Sequence, residues 1–509
     1  MMPFNSFFAW MMNKRIHQIK LFCKYPSEVQ NDVFQNLITS GSKTEFGRLH
    51  SFKLIKNHRD FKQIPLQTYE SIKPWIDRSI IGEKSILWPT ATKWFAKSSG
   101  TTTGRSKLIP VTKESLEECH YKGGKDLLAL YYNNYPNRKL YKGKHLIIGG
   151  SSKINQLSVD SYFGDLSAII VKNLPWWAEI RRTPSRDITL MSNWNEKIQR
   201  MAESTINEDV YIIAGVPSWT MVLMHKVLEI SGRKNLKEVW PNLELFMHGG
   251  VSFEPYRDQF KRLIPDLNMN YVETYNASEG FFGIQDQINS DEMLLMLDYG
   301  IYFEFIPMES FNDVKSNEVI SLKNIELDQN YAVVISTNGG LWRYILGDTI
   351  RFTSRRPYRF KITGRTKSYI NCFGEELIIE NTESAIASAC LKTGAEINEY
   401  TVAPIFMESS NNGAHEWVIE FKKLPKEIER FILILDETLR ELNSDYDAKR
   451  YNNLVLSKPV VNSVSKGTFN IWLKSIDKLG GQNKVPRLSN DRFFLEQIVK
   501  LSRNNNLYR

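Results

Sequence analysis

Short apolar segments rich in β-branched and aromatic residues recur along this chain, and they constrain its fold more than any other feature. The clearest are Leu146–Ile148, Val210–Ala214, Leu243–Met247, Met269–Val272, Tyr302–Ile306 and Ala332–Ser336. Near-continuous apolar runs of this kind are typical of strands that are covered on both faces. Long helical patterns lie between them, as in the crossover connections of parallel sheets. The pattern therefore predicts an α/β fold.

The length of 509 residues is too great for one compact domain. The strand and helix pattern is interrupted at Arg355-Arg356-Pro357, and a smaller α+β unit follows. Its predicted elements are helices at Glu380–Lys392, 426–442 and Thr468–Lys478 and strands at Tyr400–Phe406 and Glu416–Phe421. We therefore predict a large N-terminal domain of mixed sheets with helices, residues 1–362, and a small C-terminal α+β domain, residues 363–509.

The formal net charge of +9 could indicate nucleic acid or an anionic membrane surface as the partner. Lys and Arg are spread beside Asp and Glu instead of forming one basic arm, however, and this favours an enzyme that handles anions such as nucleotides. A basic nucleic-acid-binding protein stays open as an alternative. No apolar run approaches the ~20 residues of a membrane span. The four cysteines show no disulfide or metal spacing, so we expect a cytoplasmic protein.

Near the N-terminus, residues 27–41 have the apolar spacing of a helix. Ser27 and Gln30 have the spacing of a capping box, in which each side chain accepts a hydrogen bond from the other residue's backbone. We expect this helix to be structural.

The most informative segment runs from Ser98 to Lys107, with the sequence SSGTTTGRSK. It follows a strand-like stretch at Thr92–Ala96 and precedes a helical pattern that begins near Lys113. Glycines allow backbone N–H groups to surround a phosphate, hydroxyls add donors, and a lysine adds positive charge. The glycine spacing differs from that of the NTPase P-loop. A linker is the alternative, but the segment predicts a phosphate-binding loop.

Two further segments follow predicted strands. Tyr275–Gly280, with the sequence YNASEG, could place Glu279 on Mg²⁺ and Tyr275 against an adenine. The pair Gly249-Gly250 could let the backbone approach a flat ligand. An exposed loop and a common turn are the respective alternatives, and each would be preferred for its segment taken alone.

The later motifs are weaker when each is taken alone. Asp348, at the end of Gly340–Asp348, could accept hydrogen bonds from two ribose hydroxyls. Arg365 could contact ribose or phosphate. Lys484, on a glycine-rich loop that ends at Pro486, could enter a site as a mobile charge. Ordinary turns and basic loops are the alternatives.

Taken together, the order and spacing of these motifs resemble the auxin-responsive (Gretchen Hagen) acyl-acid amido synthetase family of the adenylate-forming superfamily. Ser98–Lys107 resembles its phosphate-binding motif, Tyr275–Gly280 its Tyr-x-x-Ser-Glu motif, and Gly340–Asp348 its third motif. Asn483–Arg487 resembles the terminal motif that carries a lysine. The chain is shorter than plant members and resembles their bacterial relatives. The resemblance covers residues 98 to 487.

The resemblance implies a ligase that uses ATP and Mg²⁺ to adenylate a small carboxylic acid and then transfers the acyl group to an amine, usually an amino acid. It implies catalytic roles for Lys484, Lys107 and Glu279, with Glu279 as the metal ligand. The nucleotide-binding residues implied are Ser98, Ser99, Thr101, Thr102, Gly249, Tyr275, Ser278, Asp348 and Arg365. A hinge near residues 365–368 would let the small domain rotate between the two steps.

The chain departs from the family pattern at Ile345, where an arginine is usual, and at Asn483 and Val485 beside the terminal lysine. Other readings stay open: an acyl-coenzyme A ligase of the same superfamily, or a nucleotide binder without turnover. We expect no membrane and no nucleic-acid partner. The position of the acid pocket and the oligomeric state do not follow from the sequence.

Overall fold

The structure is a computed structural model. It describes residues 3–98, 107–136, 138, 140–149, 154–191, 193–251, 253, 256–313, 318–366, 369–375, 377–407, 412–453, 455–476 and 485–505.

The helices within these ranges are α1 (Pro3–Lys24), α2 (Pro26–Gly41), α3 (Glu45–Leu49), α4 (His58–Phe61), α5 (Tyr69–Ile80), α6 (Lys113–Ser115), α7 (Tyr121–Asn134), α8 (Leu166–Lys172), α9 (Trp176–Glu179), α10 (Arg186–Thr189), α11 (Trp194–Thr205), α12 (Pro217–Ser231), α13 (Leu236–Val239), α14 (Arg257–Leu263), α15 (Ile379–Thr393), α16 (Ile428–Leu442), α17 (Ser444–Arg450), α18 (Thr468–Ser475) and α19 (Phe493–Asn505). One π-helical turn, Leu116–His120, connects α6 to α7.

The strands are β1 (Trp94–Ser98), β2 (Lys107–Val111), β3 (Lys144–Ile147), β4 (Asn155–Gln156), β5 (Tyr162–Gly164), β6 (Arg182–Thr183), β7 (Val210–Ala214), β8 (Leu245–Gly249), β9 (Asn270–Ala277), β10 (Gly280–Ile284), β11 (Met293–Leu295), β12 (Ile301–Pro307), β13 (Ile320–Ser321), β14 (Asn330–Thr337), β15 (Tyr344–Arg355), β16 (Tyr358–Arg365), β17 (Tyr369–Ile370), β18 (Leu377–Ile378), β19 (Glu396–Ile405), β20 (Ala414–Lys423) and β21 (Val460–Val464).

One long sheet organises the first two thirds of the chain. Its strand order is β13-β12-β14-β15-β16-β11-β10-β9-β8-β7-β3-β6. The five strands from β9 to β6 run parallel, and the rest pair antiparallel. Each of the six apolar segments predicted as strands overlaps a strand of this sheet, and the predicted α/β class is confirmed.

The phosphate-loop segment connects two antiparallel strands. Ser98 at the end of β1 faces Lys107 at the start of β2. The helical pattern begins at Lys113 as expected, but β2 lies between the segment and the helix. Pro110 is tolerated within β2 because β2 is an edge strand of its sheet, whose order is β2-β1-β5-β4.

The C-terminal unit is built on the sheet β19-β20-β21. The helices predicted within it begin and end within about three residues of α15, α16 and α18. Apolar side chains of α12, β8 and α14 share one buried cluster with this unit, including Trp219, Phe246 and Phe373. The chain leaves the long sheet only after Arg365, which still pairs with Asp348.

The predicted capping box at the start of α2 is wrong. The residue before the helix is Tyr25, which makes no side-chain cap, and Pro26 begins the helix. The Gln30 side chain is buried and turns away from the helix start. It donates to the carbonyls of Leu297 and Ile301 at 2.8 and 2.9 Å. These buried hydrogen bonds outweigh a local cap, because a buried carbonyl left without a partner is costly.

A buried ion pair anchors β15 to the rest of the long sheet. The Arg343 guanidinium donates to both carboxylate oxygens of Glu304 in β12, at 2.9 and 3.0 Å. It also donates to the carbonyl of Lys62 at 3.0 Å, and His58 lies 2.9 Å from the same carboxylate. Arg343 is fully buried. The arginine of the Gly340–Asp348 segment is therefore structural.

We predict that Arg343→Met lowers the free energy of unfolding by roughly 3–5 kcal/mol, because it leaves the Glu304 carboxylate buried without its charge partner. Chemical denaturation measures the change. The control is Lys73→Met, which removes one member of an exposed ion pair with Asp77 and should have little effect. Equal, small losses in both variants would show that the buried pair contributes no more than an exposed one.

Candidate nucleotide site

Asp348 lies at the meeting point of three strands that are far apart in sequence. Directly across the β15–β16 pair, the Nε of Arg365 donates to Asp348 Oδ1 at 2.7 Å. From β9, the hydroxyl of Tyr275 donates to Asp348 Oδ2. Burial, and then the charge of Asp348, raise the pKa of Tyr275 well above its ordinary value, so this hydroxyl stays protonated and donates. Each carboxylate oxygen of Asp348 still has acceptor capacity for a ligand hydroxyl.

The shape of the long sheet explains how Tyr275 reaches Asp348. Three strands separate β9 from β15 in the strand order. The strand β11 has only three residues and pairs with the far ends of β10 and β16, near Ile284 and Phe360. The Tyr275 side chain extends from β9 past the rings of Phe282 and Phe360 and reaches Asp348. We call the region bounded by Tyr275, Asp348 and the turn at the end of β9 the cleft.

Ser278 and Glu279 form the two-residue turn at this end of β9. Ala277 pairs with Gly280 across the hairpin, so both turn residues project beyond the paired strands. Both are partly exposed. The Glu279 charge contributes to the raised pKa values of Tyr275 and of Tyr344, although burial is the main cause for each. Glu279 therefore lies in the same neighbourhood as the Asp348 cluster.

The β1–β2 hairpin reaches this neighbourhood through α5. The Lys107 ammonium lies 5.9 Å from the ring centre of Tyr69, and the Tyr69 hydroxyl accepts from the Leu108 backbone at 2.8 Å. Just before α5, Gln67 bonds to the backbone on both sides of Tyr344, at 2.9 Å each. Tyr69, Glu279 and Arg365 all influence the pKa of Tyr344. Lys107 and Ser98 therefore approach the side of the cleft formed by β15.

The structure accounts for Gly249 partly by packing. A Cβ at this position would lie 2.4 Å from the carbonyl oxygen of Thr274, so any larger residue would separate β8 from β9. Gly250 has a φ of +82°, which favours glycine. Its carbonyl accepts from the Asn371 side chain at 3.2 Å. The glycine pair thus brings three elements together: β8, β9 and the start of the C-terminal unit.

Several predicted site residues fall outside the described ranges. These are Ser99, Thr101, Thr102 and Lys484. Next to Lys484 in sequence, Val485 is buried, and the Pro486 carbonyl accepts from Thr401 of β19. The chain that follows Lys484 is therefore fixed to the C-terminal sheet.

Ile345 makes an apolar contact where the family pattern has an arginine. It packs against a small buried cluster that includes Val334, its partner across the β14–β15 pair. Its backbone N–H donates to Gln67 at 2.9 Å. Ile345 therefore has a structural role in the β14–β15 part of the sheet.

Two polar residues on β8 and β9, close in sequence to Gly249 and Tyr275, were not predicted from the sequence. Glu273 lies two positions before Tyr275, hence on the same face of β9, and burial raises its pKa to about 7. His248 lies opposite Glu273 on β8, and its Nδ1 has no hydrogen-bond partner among the described residues. The predicted strand Met269–Val272 ended before Glu273. A carboxylate inside an apolar strand was the available signal, because a buried titratable group beside a cleft is a candidate functional group.

The described residues contain no group of three or more His, Cys, Asp or Glu side chains that could hold a metal ion. Among the same residues, no helix combines the length and apolar character that crossing a bilayer requires.

The folds of solved proteins define the class to which this chain belongs. An acyl acid amido synthetase, AtGH3.15 in complex with 2,4-DB, superposes with a TM-score of 0.60 at 19% identity, with 93% of each chain covered. A 2-hydroxyisobutyryl-CoA ligase in complex with 2-HIB-AMP and CoA superposes with a TM-score of 0.55 at 12% identity, with 94% of this chain and 92% of that one covered. The chain has the adenylate-forming fold, with a large N-terminal and a smaller C-terminal domain. This confirms the fold predicted from the resemblance.

Profiles of three domains place the chain within one family. The GH3 family N-terminal domain matches residues 15–269, the central domain residues 294–365, and the C-terminal domain residues 380–493. The chain belongs to the GH3 family. One similar protein from Arabidopsis thaliana is the 4-substituted benzoates-glutamate ligase GH3.12, which is 22% identical, with 92% of this chain and 94% of that protein covered. Another is the indole-3-acetic acid-amido synthetase GH3.4, which is 23% identical, with 93% of this chain and 91% of that protein covered. The predicted family is confirmed.

We predict that acid destabilises the protein partly through buried histidines. Burial lowers the pKa of His120 to about 4 and that of His248 to about 3, against an ordinary value of about 6.5. Between these values the unfolded chain binds protons that the folded chain does not, so stability is full above pH ~6.5 and falls as the pH is lowered. At about 1.4 kcal/mol per pKa unit, each histidine should contribute roughly 3–5 kcal/mol of this loss once the pH is below both of its pKa values.

Denaturation at a series of pH values tests the prediction. For each variant, the free energy of unfolding is compared with its own value near neutral pH. Between pH ~6.5 and ~4 this free energy should fall less in His248→Asn than in the wild-type protein. His17→Asn, at an exposed position of α1, is the control and should leave the pH profile unchanged. An unaltered profile in His248→Asn would contradict the assignment.

Proposed function

We propose that this protein is an ATP-dependent, AMP-forming ligase that joins a small carboxylic acid to an amine, with an amino acid as the acceptor. The observation that carries the proposal is the convergence of Tyr275, Asp348 and Arg365 at one cleft, with the Lys107 hairpin approaching it through Tyr69. These residues come from separate motifs of the GH3 family pattern. Their assembly supports one nucleotide site.

The ribose and base of the nucleotide are proposed to lie beside Asp348. The carboxylate accepts from vicinal hydroxyls while Arg365 holds it at 2.7 Å. Tyr275 fixes the other oxygen of the carboxylate. Gly249 and Ser278 complete the proposed nucleotide contacts, on β8 and on the β9 turn.

The phosphates are proposed to bind to the β1–β2 hairpin. Ser98 and Lys107 stand opposite each other where the hairpin connection begins and ends. The connection between them contains Ser99, Thr101 and Thr102, which supply hydroxyl donors in this proposal. Lys107 offsets the negative charge that develops as the acid attacks the α-phosphate.

Glu279 is the proposed ligand of Mg²⁺. Magnesium usually takes one or two protein carboxylates and completes its shell with phosphate oxygens and water. A single carboxylate in a partly exposed turn beside the proposed phosphate site fits that requirement. When bound, the ion would neutralise phosphate charge.

The proposed reaction has two displacement steps. A carboxylate oxygen of the acid forms a bond to the α-phosphorus, the bond to the β-phosphate oxygen breaks, and pyrophosphate leaves. The neutral amine nitrogen then bonds to the acyl carbon, the bond from that carbon to the phosphate oxygen breaks, AMP leaves, and the nitrogen loses a proton to solvent as the amide forms. The contribution of the protein is to hold the reactants in line and to stabilise charge.

The C-terminal domain is proposed to act as a moving part. We place its beginning at residue 363 and the hinge at residues 365–368, where β16 ends. Lys484 would enter the cleft on this domain during adenylate formation. Reorientation of such a domain between the steps often limits turnover.

The substrates are proposed by analogy with related enzymes. The Arabidopsis relatives are named as a ligase of 4-substituted benzoates and glutamate and as an amido synthetase of indole-3-acetic acid. A small aromatic acid and an amino acid are therefore the first substrates to test. We propose a cytoplasmic location, which fits four free cysteines.

We predict that the protein releases AMP from ATP only when a carboxylic acid and an amino acid are both present. A panel of aromatic and aliphatic acids, each with mixed amino acids or with coenzyme A, measures this. Release that requires coenzyme A and ignores amino acids would overturn the amide assignment in favour of an acyl-coenzyme A ligase. Salt-sensitive nucleic-acid binding without ATP binding would overturn both.

We predict that Asp348→Asn weakens ATP binding by roughly 1–3 kcal/mol, a loss typical of hydrogen bonds to a charged group. Isothermal titration calorimetry measures the affinity. The control is Asp258→Asn, which changes an exposed aspartate of α14 in the same way and should bind ATP normally. Normal affinity in Asp348→Asn would refute the ribose role.

A further inference from the structure

The π-helical turn at Leu116–His120 lies directly against the hairpin that carries Glu279. Its wide turn is marked by the Tyr121 backbone N–H, which donates to the carbonyl of Leu116, five residues earlier. Such turns are rare in proteins, and those that occur are often located at functional sites. This segment lies outside the Ser98–Lys107, Tyr275–Gly280 and Gly340–Asp348 motifs, and the sequence assigns it no role in the site.

Two consecutive residues of the π-helical turn hold opposite strands of the hairpin. The Nδ1 of His120 lies 3.1 Å from the Asn276 side-chain oxygen on β9. The Phe281 backbone N–H on β10 donates to the Cys119 sulfur at 3.1 Å. Asn276 and Phe281 face each other across the hairpin, one pair below Ala277 and Gly280. The segment thus contacts both strands just below the turn.

The packing at this contact leaves little freedom. A Cβ at Gly123, in the first turn of α7, would lie 2.5 Å from the Phe281 ring. His120 is 5% exposed and Cys119 is 1% exposed. Burial lowers the pKa of His120 to about 4 and raises that of Cys119 to about 12, so both side chains are neutral near pH 7. A neutral imidazole with its proton on Nδ1 donates to the Asn276 oxygen and fixes that side chain.

We propose that His120 is a positioning residue for adenylate formation, which acts through Asn276 to hold the turn that presents Glu279. The inference rests on the proposed function, because it assigns Glu279 to the metal. The turn itself is only two residues long and partly exposed, and below it the strands are held by the Ala277–Gly280 and Asn276–Phe281 pairs. A misplacement of about 1 Å at a reacting site can cost about 10²-fold in rate.

The test compares two substitutions at His120 in the full-length protein. His120→Phe keeps a ring but removes the nitrogen that bonds to Asn276. His120→Asn keeps a donor at nearly the same distance from the backbone as Nδ1. Acid-dependent exchange of pyrophosphate into ATP, measured over a range of Mg²⁺ concentrations, reports adenylate formation. Glu279→Gln is the reference for loss of the metal ligand.

We expect His120→Phe to lower the kcat of exchange by about 10- to 100-fold and to raise the Mg²⁺ requirement, with a smaller change in the KM for the acid. His120→Asn should recover most of the activity. Asn276→Ala should reproduce the His120→Phe defect and should add little to it in the double variant, because the two side chains act as one unit. If His120 had only a structural role, His120→Asn would not restore activity and His120→Phe would not change the Mg²⁺ requirement.

The outcomes separate the two proposals. An active wild-type protein with a normal His120→Phe profile, or a His120→Asn variant as impaired as His120→Phe, would overturn the positioning role alone. Wild-type protein that shows no acid-dependent exchange would overturn the proposed function and this inference with it. Where His120→Phe does not fold, Asn276→Ala decides the question by the same measurements.

Discussion

The carboxylate of Asp348 is the group on which the arrangement of the cleft depends. It accepts from Arg365 on the neighbouring strand and from Tyr275 on a strand that three others separate from it in the sheet order. Charge-assisted hydrogen bonds of this kind are about twice as strong as neutral ones. They connect the three strands β9, β15 and β16 at one point.

Within the Gly340–Asp348 motif, the structure separates two roles that the sequence could not distinguish. Arg343 points into the protein, where Glu304 and backbone carbonyls satisfy its guanidinium. Asp348, five residues later, points into the cleft. Both side chains are charged and both are largely buried, so residue type alone does not reveal which one is structural. The buried ion pair keeps β15 in place, and β15 in turn presents Asp348.

On the other side of the cleft, residues outside the motifs also hold the motif residues in place. The turn with Ser278 and Glu279 extends from a hairpin, and the hairpin is held by Cys119 and His120. The C-terminal domain approaches from the Gly250 side, where Asn371 bonds to the Gly250 carbonyl and Tyr256 bonds to the Cys372 carbonyl at 2.5 Å. In each case a residue proposed to contact substrate is held by neighbours that have no part in a recognisable motif.

Much of this protein was determined by local sequence. Apolar runs such as Val210–Ala214 become strands because they can be buried on both faces. The apolar periodicity of residues 426–442 predicts a helix that buries one face, and α16 is that helix. The motif residues Ser98, Lys107, Tyr275 and Asp348 could be chosen from residue type and spacing, and the family they indicated is confirmed. Only the tertiary structure decided that Gln30 leaves its expected cap for distant carbonyls, that Arg343 is buried, and that His120 contacts Asn276 beside the Glu279 turn. These outcomes depend on which polar groups meet in the interior after the chain has folded. Pairing between residues 70 to 270 positions apart leaves no trace in the local pattern.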